Sequence, residues 1–276
     1  MNLGPTRRRW ALALWCVGML LSALAGWQVQ HKNQQRLLEH TNTAADTLSQ
    51  AIQERFRLYE YGLRGARGAI AASGGGMVAR EQFKAYLDSR DSAKEFPGAR
   101  GFGFIRRVTR ADEARFLSRA RDEGPADFSI RELAPHTDDR FVIQYIYPAE
   151  TNQGATGLDI ASEPSRRAAA MKAAREATSQ LTAPTTLVQA SGLARRGFLL
   201  LLPVYRDLRP NPPPAVREAS TLGWTYAPLV VDEVLADLKP QQHKLSITLT
   251  DSAEQAPFFA SQDTLTSDLV VVRQLS

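Results

Sequence analysis

The run GFLLLLPVY at residues 197–205 decides the class of fold. It is apolar throughout from Phe198 to Tyr205, as expected of a strand covered on both faces. A proline-rich loop (Pro210, Pro212 to Pro214) follows it. Outward from this strand, the pattern predicts others at Leu187–Ala190, Trp224–Leu229, Gly101–Val108, Phe128–Leu133, Phe141–Tyr147, Leu245–Thr250 and Leu269–Arg273. The segments 128–133 and 141–147 read as a hairpin or ladder about a polar turn at His136–Asp139. Short helices are predicted between strands: Ala79–Asp88, one capped by Thr109 and reaching Asp122, one capped by Ser162 with Pro164 in its first turn, and one capped by Asp232 and ending at Leu238. Ser73–Gly76 reads as a turn. The order lacks the regular alternation of a doubly wound sheet and predicts an α+β fold with antiparallel sheets.

Upstream lies a long helix, His31 to Ala72. Leu38, Thr41, Ala45, Leu48, Ile52, Phe56, Tyr59, Leu63, Ala66 and Ile70 recur at steps of three and four and form one mostly apolar stripe. Such a stripe either pairs with a second copy, making a homodimer, or packs on the downstream fold. Gly62, Gly65 and Gly68 near its end let another group approach closely or mark where the helix loosens.

Trp10 to Val29 contains no charge over 20 residues. At about 1.5 Å per residue this length spans a hydrocarbon core of about 30 Å. It therefore predicts a transmembrane helix with Arg7, Arg8 and Arg9 on the cytoplasmic side and residues 31–276 in the periplasm or outside. A cleaved signal peptide is the competing reading, since Ala23-Leu24-Ala25 has the form of a cleavage site. The formal charge of +5 is partly set by these three arginines; without them 31 basic residues face 29 acidic ones. There is no dense basic stripe, which argues against a nucleic-acid partner. The lone Cys16 lies in the apolar segment, so the remainder has neither disulfide nor thiol nucleophile.

The usual catalytic signatures are missing. There is no GxxxxGK[ST], HExxH, CxxC or GxSxG. The histidines at 31, 40, 136 and 243 lack ligand spacing, so no metal or other cofactor is expected. Four segments invite a binding reading instead. Asp159 precedes a helix and either caps it or meets ligand donors. Thr182, Thr185, Thr186 and Gln189 set polar groups beside Leu187 and Val188, which suits a small-ligand site or merely alternates along a strand. Gln144 and Tyr145 interrupt an apolar strand, where a buried polar group needs a partner. The 197–205 run is core and a possible pocket wall.

Seven stretches, in order, carry a family resemblance: YGLRGARGAIAA (61–72), FKAYLDSRD (83–91), EFPGARGFGFIRRV (95–108), FVIQYIYPAETNQGATGLDIASE (141–163), LTAPTTLVQASG (181–192), FLLLLPVYR (198–206) and GWTYAPL (223–229). Together they resemble the CHASE domain, the extracytoplasmic sensor of bacterial receptors and plant cytokinin receptors. The resemblance covers roughly residues 59–238 and implies a long N-terminal helix followed by two PAS-like subdomains, the membrane-distal one holding a ligand. It implies that Asp159 matches the pocket aspartate used on an adenine-type ligand. Thr182 matches a required threonine within an L-T-x-P motif, and Val188 falls at a pocket leucine. Leu201 stands where the plant receptors carry a pocket threonine, so a polar contact is lost there. Members usually continue into a second membrane helix and a histidine kinase or diguanylate cyclase, and none of those motifs follows here.

The organisation expected is a basic tail (1–9), a transmembrane helix (10–29), a signalling helix (31–72), a sensor domain (73–238) and the end of a membrane-proximal part (239–276) that reads as truncated. The expected function is a membrane-anchored, extracytoplasmic ligand sensor of a bacterial receptor, itself not an enzyme. Its site residues are Asp159, Thr182, Val188, Leu201, Gln144 and Gln189. Its partners are a small molecule, the membrane and a second copy. The alternative is an exported, tethered enzyme acting on envelope material.

Overall fold

The computed structural model describes residues 5–73, 80–188, 194–236, 246–251, 257–261 and 269–274, with backbone alone at 5–9, 11–13, 186, 188 and 194–195. In chain order the helices are α1 (Pro5–Ala72), α2 (Arg80–Asp88), α3 (Ser92–Glu95), α4 (Glu113–Glu123), α5 (Pro164–Glu176), α6 (Pro214–Ser220) and α7 (Val231–Leu235). The strands are β1 (Phe102–Val108), β2 (Arg140–Tyr147), β3 (Gln180–Leu181), β4 (Thr185–Val188), β5 (Ala194–Tyr205), β6 (Thr221–Val230), β7 (Thr248–Thr250) and β8 (Pro257–Ala260). Single 3-10 turns cover Arg110–Asp112 and Ile160–Ser162. The α+β class and the antiparallel sheet follow the sequence reading. Six strands join in the order β2-β1-β6-β5-β3, with β4 also on β5, and every pairing is antiparallel.

The sheet is covered on both sides because its central strands are apolar on both sides. All of β6 is buried, and so is β5 from Leu199 onward. One face packs on Tyr59, Leu63, Ala66 and Ile70 of α1 and on Phe83 and Leu87 of α2. Ala170, Met171, Ala173 and Ala174 of α5 close the other face over Leu199, Leu201, Trp224 and Tyr226. Small side chains on α5 let it lie close to bulky sheet aromatics. Each fully buried aliphatic or aromatic side chain stabilises by about 1.5–3 kcal/mol relative to exposure. Pro203 fits inside β5 because β3 pairs only as far as Leu201, so its missing N–H breaks no ladder there. Its carbonyl accepts from Arg67 Nη1 of α1 at 3.4 Å.

The lower stripe of α1 packs on its own domain, from Tyr59 to Ile70. The glycines there admit aromatic rings: a Cβ at Gly62 would lie 2.8 Å from the Phe102 ring, and one at Gly65 only 2.0 Å from Tyr86 Oη.

Several expectations are corrected. Among the described residues, no helix is long and apolar enough to cross a membrane, which overturns the transmembrane helix read at 10–29. That segment is the N-terminal part of α1. There Gly18, Ser22, Gly26 and Gln28 dilute the apolar run. The 128–133 segment is not a strand: only Arg131 makes an isolated bridge, parallel, to Leu158, and β2 pairs instead with β1. Residues 269–274 form no strand; Arg273 bonds the side chains of Asp46 and Asn42. Glu163, not Ser162, caps α5: its carboxylate accepts from Ser165 N at 3.0 Å and Arg166 N at 2.9 Å. Of two expected subdomain sheets, the described residues hold the six-stranded sheet and the short ribbon β7–β8, whose Phe258 meets Phe198 edge-on at 5.1 Å.

Candidate functional site

Asp159 sits where the chain runs back along β2. Gly157 N donates to Ile143 O, Ile143 N donates to Leu158 O, and Val142 bridges Asp159. No part of the Asp159 side chain is exposed. Its Oδ1 accepts from Phe141 N at 2.8 Å and from Ala161 N at 3.0 Å, the second bond capping the 3-10 turn. Its Oδ2 faces His136 Nε2 at 2.8 Å and Arg140 Nη1 at 3.3 Å. A carboxylate offers about four acceptor sites, and the protein fills them all. Arg140 also holds Glu113 at 2.9 Å and Glu132. Burial pulls the Arg140 pKa down, but the bonds from Glu113, Glu132 and Asp159 outweigh it and raise the pKa overall. The group is a closed ionic knot. His136 Nδ1 is buried without a hydrogen-bond partner, so among the described residues this His–carboxylate pair activates no nucleophile.

Thr182 is a strand clip. It is 3% exposed; its N–H donates to Leu199 O at 3.0 Å and its Oγ1 accepts from Leu199 N at 3.0 Å. Gln144 is the extra residue of a β-bulge, since the register steps from Phe104↔Tyr145 to Ile105↔Ile143. That is why a half-buried amide stands in an apolar strand. Val188 pairs with Ala194 on β4, and Gln189 lies outside the described residues. Leu201 is wholly buried on the α5 face, in one cluster with Leu187. Among the described residues, Asp159 and Thr182 each bond the backbone beside them, and Leu201 faces the α5-covered core.

The polar group this face leaves open is Tyr226, which the sequence reading passes over. Tyr226 is the cross-strand partner of Leu201 and of Gly103. It is 1% exposed, and its hydroxyl has no hydrogen-bond partner among the described residues. Neighbouring aromatics do find partners on α5: Trp224 Nε1 donates to Ala170 O at 2.8 Å and Tyr205 Oη to Ala174 O at 2.7 Å. Burial pushes the Tyr226 hydroxyl up, so it stays protonated and able to donate. Arg166, 6% exposed at the start of α5, bonds Thr185 Oγ1, while its Nε has no hydrogen-bond partner among the described residues and lies 3.7 Å from Glu163 Oε2. Burial lowers the Arg166 pKa, with Glu163 opposing. The signal in sequence was the alternation of GWTYAPL, which places Trp224 and Tyr226 on one face.

Compared with known families, the chain matches the model of the CHASE domain over residues 76–259. No curated protein matches it.

Proposed function

Given that the chain belongs to the CHASE domain family, the sensory extracytoplasmic module of signalling receptors, we propose that it binds a small, largely apolar molecule on the α5-covered face of the six-stranded sheet. Tyr226 supplies the polar contact. One observation carries this reading: a wholly buried hydroxyl without a partner among the described residues, directly across from Leu201. Leaving such a group unpaired costs about 1–3 kcal/mol, which a ligand acceptor would recover. The apolar walls are Leu187, Leu199 and Leu201, and one placed polar group among such walls suits a small ligand. Asp159 takes no part, because its acceptor sites are already used. An adenine-type ligand needing that carboxylate is therefore not the signal. The module acts as a homodimer through α1, with a histidine kinase or diguanylate cyclase activity as the readout.

A thermal-shift screen of small apolar compounds on the full chain tests this. Compounds that stabilise the wild type are expected to bind Tyr226→Phe about 3- to 10-fold more weakly, the share of one hydrogen bond. Hits insensitive to Tyr226→Phe but abolished by Asp159→Asn would point to the ionic knot instead.

A further inference from the structure

The opposite face of the sheet carries a charge in an apolar row. β1 presents Phe104, Arg106 and Val108 in succession to that face. Phe104 belongs to the cluster under α1 and α2, and Val108 to the cluster under α4. Arg106 therefore floors the seam between the two. It is half-buried, and among the described residues its guanidinium has neither hydrogen bond nor ion pair. Elsewhere the fold pairs its half-buried arginines: the adjacent Arg107 holds Asp139 and the Glu218 carbonyl, and Arg100 holds Glu233.

The surroundings of Arg106 are cationic. Burial lowers its pKa first, and the charges of Arg206 and Arg119 lower it further. Arg206 follows the end of β5, two residues past Val204, whose partner Gly223 is also the partner of Arg106. Arg119 lies on the exposed side of α4. Neither side chain has a partner among the described residues. Asp112, the acid that acts on Arg106, is engaged by Thr109 Oγ1 at 2.9 Å and by Arg115. Tyr145, 2% exposed on β2 and the cross-strand partner of Phe104, has a hydroxyl without a hydrogen-bond partner among the described residues. Burial raises its pKa, with Tyr147 adding to the shift, and Arg106 opposes. Glu123 and Arg80 also act on it, and Arg80 is bonded to Tyr147 Oη at 2.8 Å.

We propose that Arg106, Arg119, Arg206 and the Tyr145 hydroxyl form an oxyanion site in the seam between α4 and the α1–α2 layer, taking a small solute with a phosphate or sulfate group. A half-buried cation without a counter-charge is costly, and guanidinium forks match the oxygens of such groups. Three arginines against one shared carboxylate favour a dianion. The site lies on the other face from Tyr226 and does not depend on the sensor reading.

The test is thermal unfolding of the full chain in inorganic phosphate, in sulfate and in chloride at matched ionic strength. Phosphate or sulfate is expected to raise Tm beyond chloride. Arg106→Gln should abolish the excess, and Arg206→Gln should weaken apparent phosphate binding several-fold. Phosphate acting above sulfate assigns a phosphate group; equal action supports a site for either dianion. In chloride alone, Arg106→Gln should be at least as stable as the wild type, which a purely structural arginine would not allow. Because both dianions also stabilise proteins by exclusion from the surface, the variants decide. An excess shift that persists in both variants overturns the site, as does no excess over chloride. If Arg106→Gln does not fold, an unchanged shift in the exposed Arg206→Gln overturns it.

Discussion

Asp159 receives two backbone N–H groups, one histidine and one arginine inside the fold, with no exposed surface. Its carboxylate bonds His136 and shares Arg140 with Glu113 and Glu132, and removing it leaves Arg140 in a knot built for three carboxylates. Breaking one partner of a buried ion pair costs about 3–5 kcal/mol. Asp159→Ala is therefore expected to lower unfolding free energy by about that amount in a denaturant titration. A loss below about 1 kcal/mol would mean the carboxylate is not structural. Tyr226 behaves in the opposite sense, since its hydroxyl is buried without reward.

At the scale of elements, α5 begins on Glu163. Burial raises the Glu163 pKa, but the bonds from Ser165 and Arg166 more than offset this and hold it below the ordinary 4.5. A depressed carboxylate contributes stability that is full above its unfolded value and is lost as pH falls through the folded one. Glu163→Ala should cost about 1 kcal/mol at pH 7, the usual worth of an N-cap. Thermal unfolding should show the two proteins converging as pH drops below 4.5. A gap independent of pH would remove the capping role. The strands β1, β2, β5 and β6 were legible because their apolar runs persist through the whole element. The cap was off by one residue because Ser162 and Glu163 are both competent, and only the backbone angle selects between them. The 128–133 segment shows strand-like residues, yet the edge of β2 is taken by residues 157–159, which return from a loop that no local pattern announces. The polar candidates share a structural explanation. Asp159, Thr182 and Gln144 answer needs of the backbone (a turn, a ladder end and a bulge), and sequence does not distinguish those needs from a ligand's.

For the whole molecule, the lower part of the α1 stripe is consumed by the sheet, while Leu37 and Leu38 are 58% and 43% exposed. The proposed pairing of two copies would therefore use the upper stripe. In a Cys16→Ser background, Leu38→Cys is expected to form a disulfide-linked dimer under mild oxidation, whereas a buried position such as Leu63→Cys is not. Monomers at both positions would exclude pairing through α1. Among the described residues, the sheet, covered by α1 and α2 on one side and α5 on the other, leaves one unmet buried hydroxyl on each face: Tyr145 and Tyr226. The sensor reading rests on the second. Its most direct test needs no ligand: the unfolding free energy of Tyr226→Phe. If the hydroxyl has no partner in the unliganded protein, the variant should be more stable than the wild type, by up to about 1–3 kcal/mol. A variant less stable by about 1 kcal/mol, the worth of a hydrogen bond, would mean the hydroxyl is already satisfied and would contradict the site.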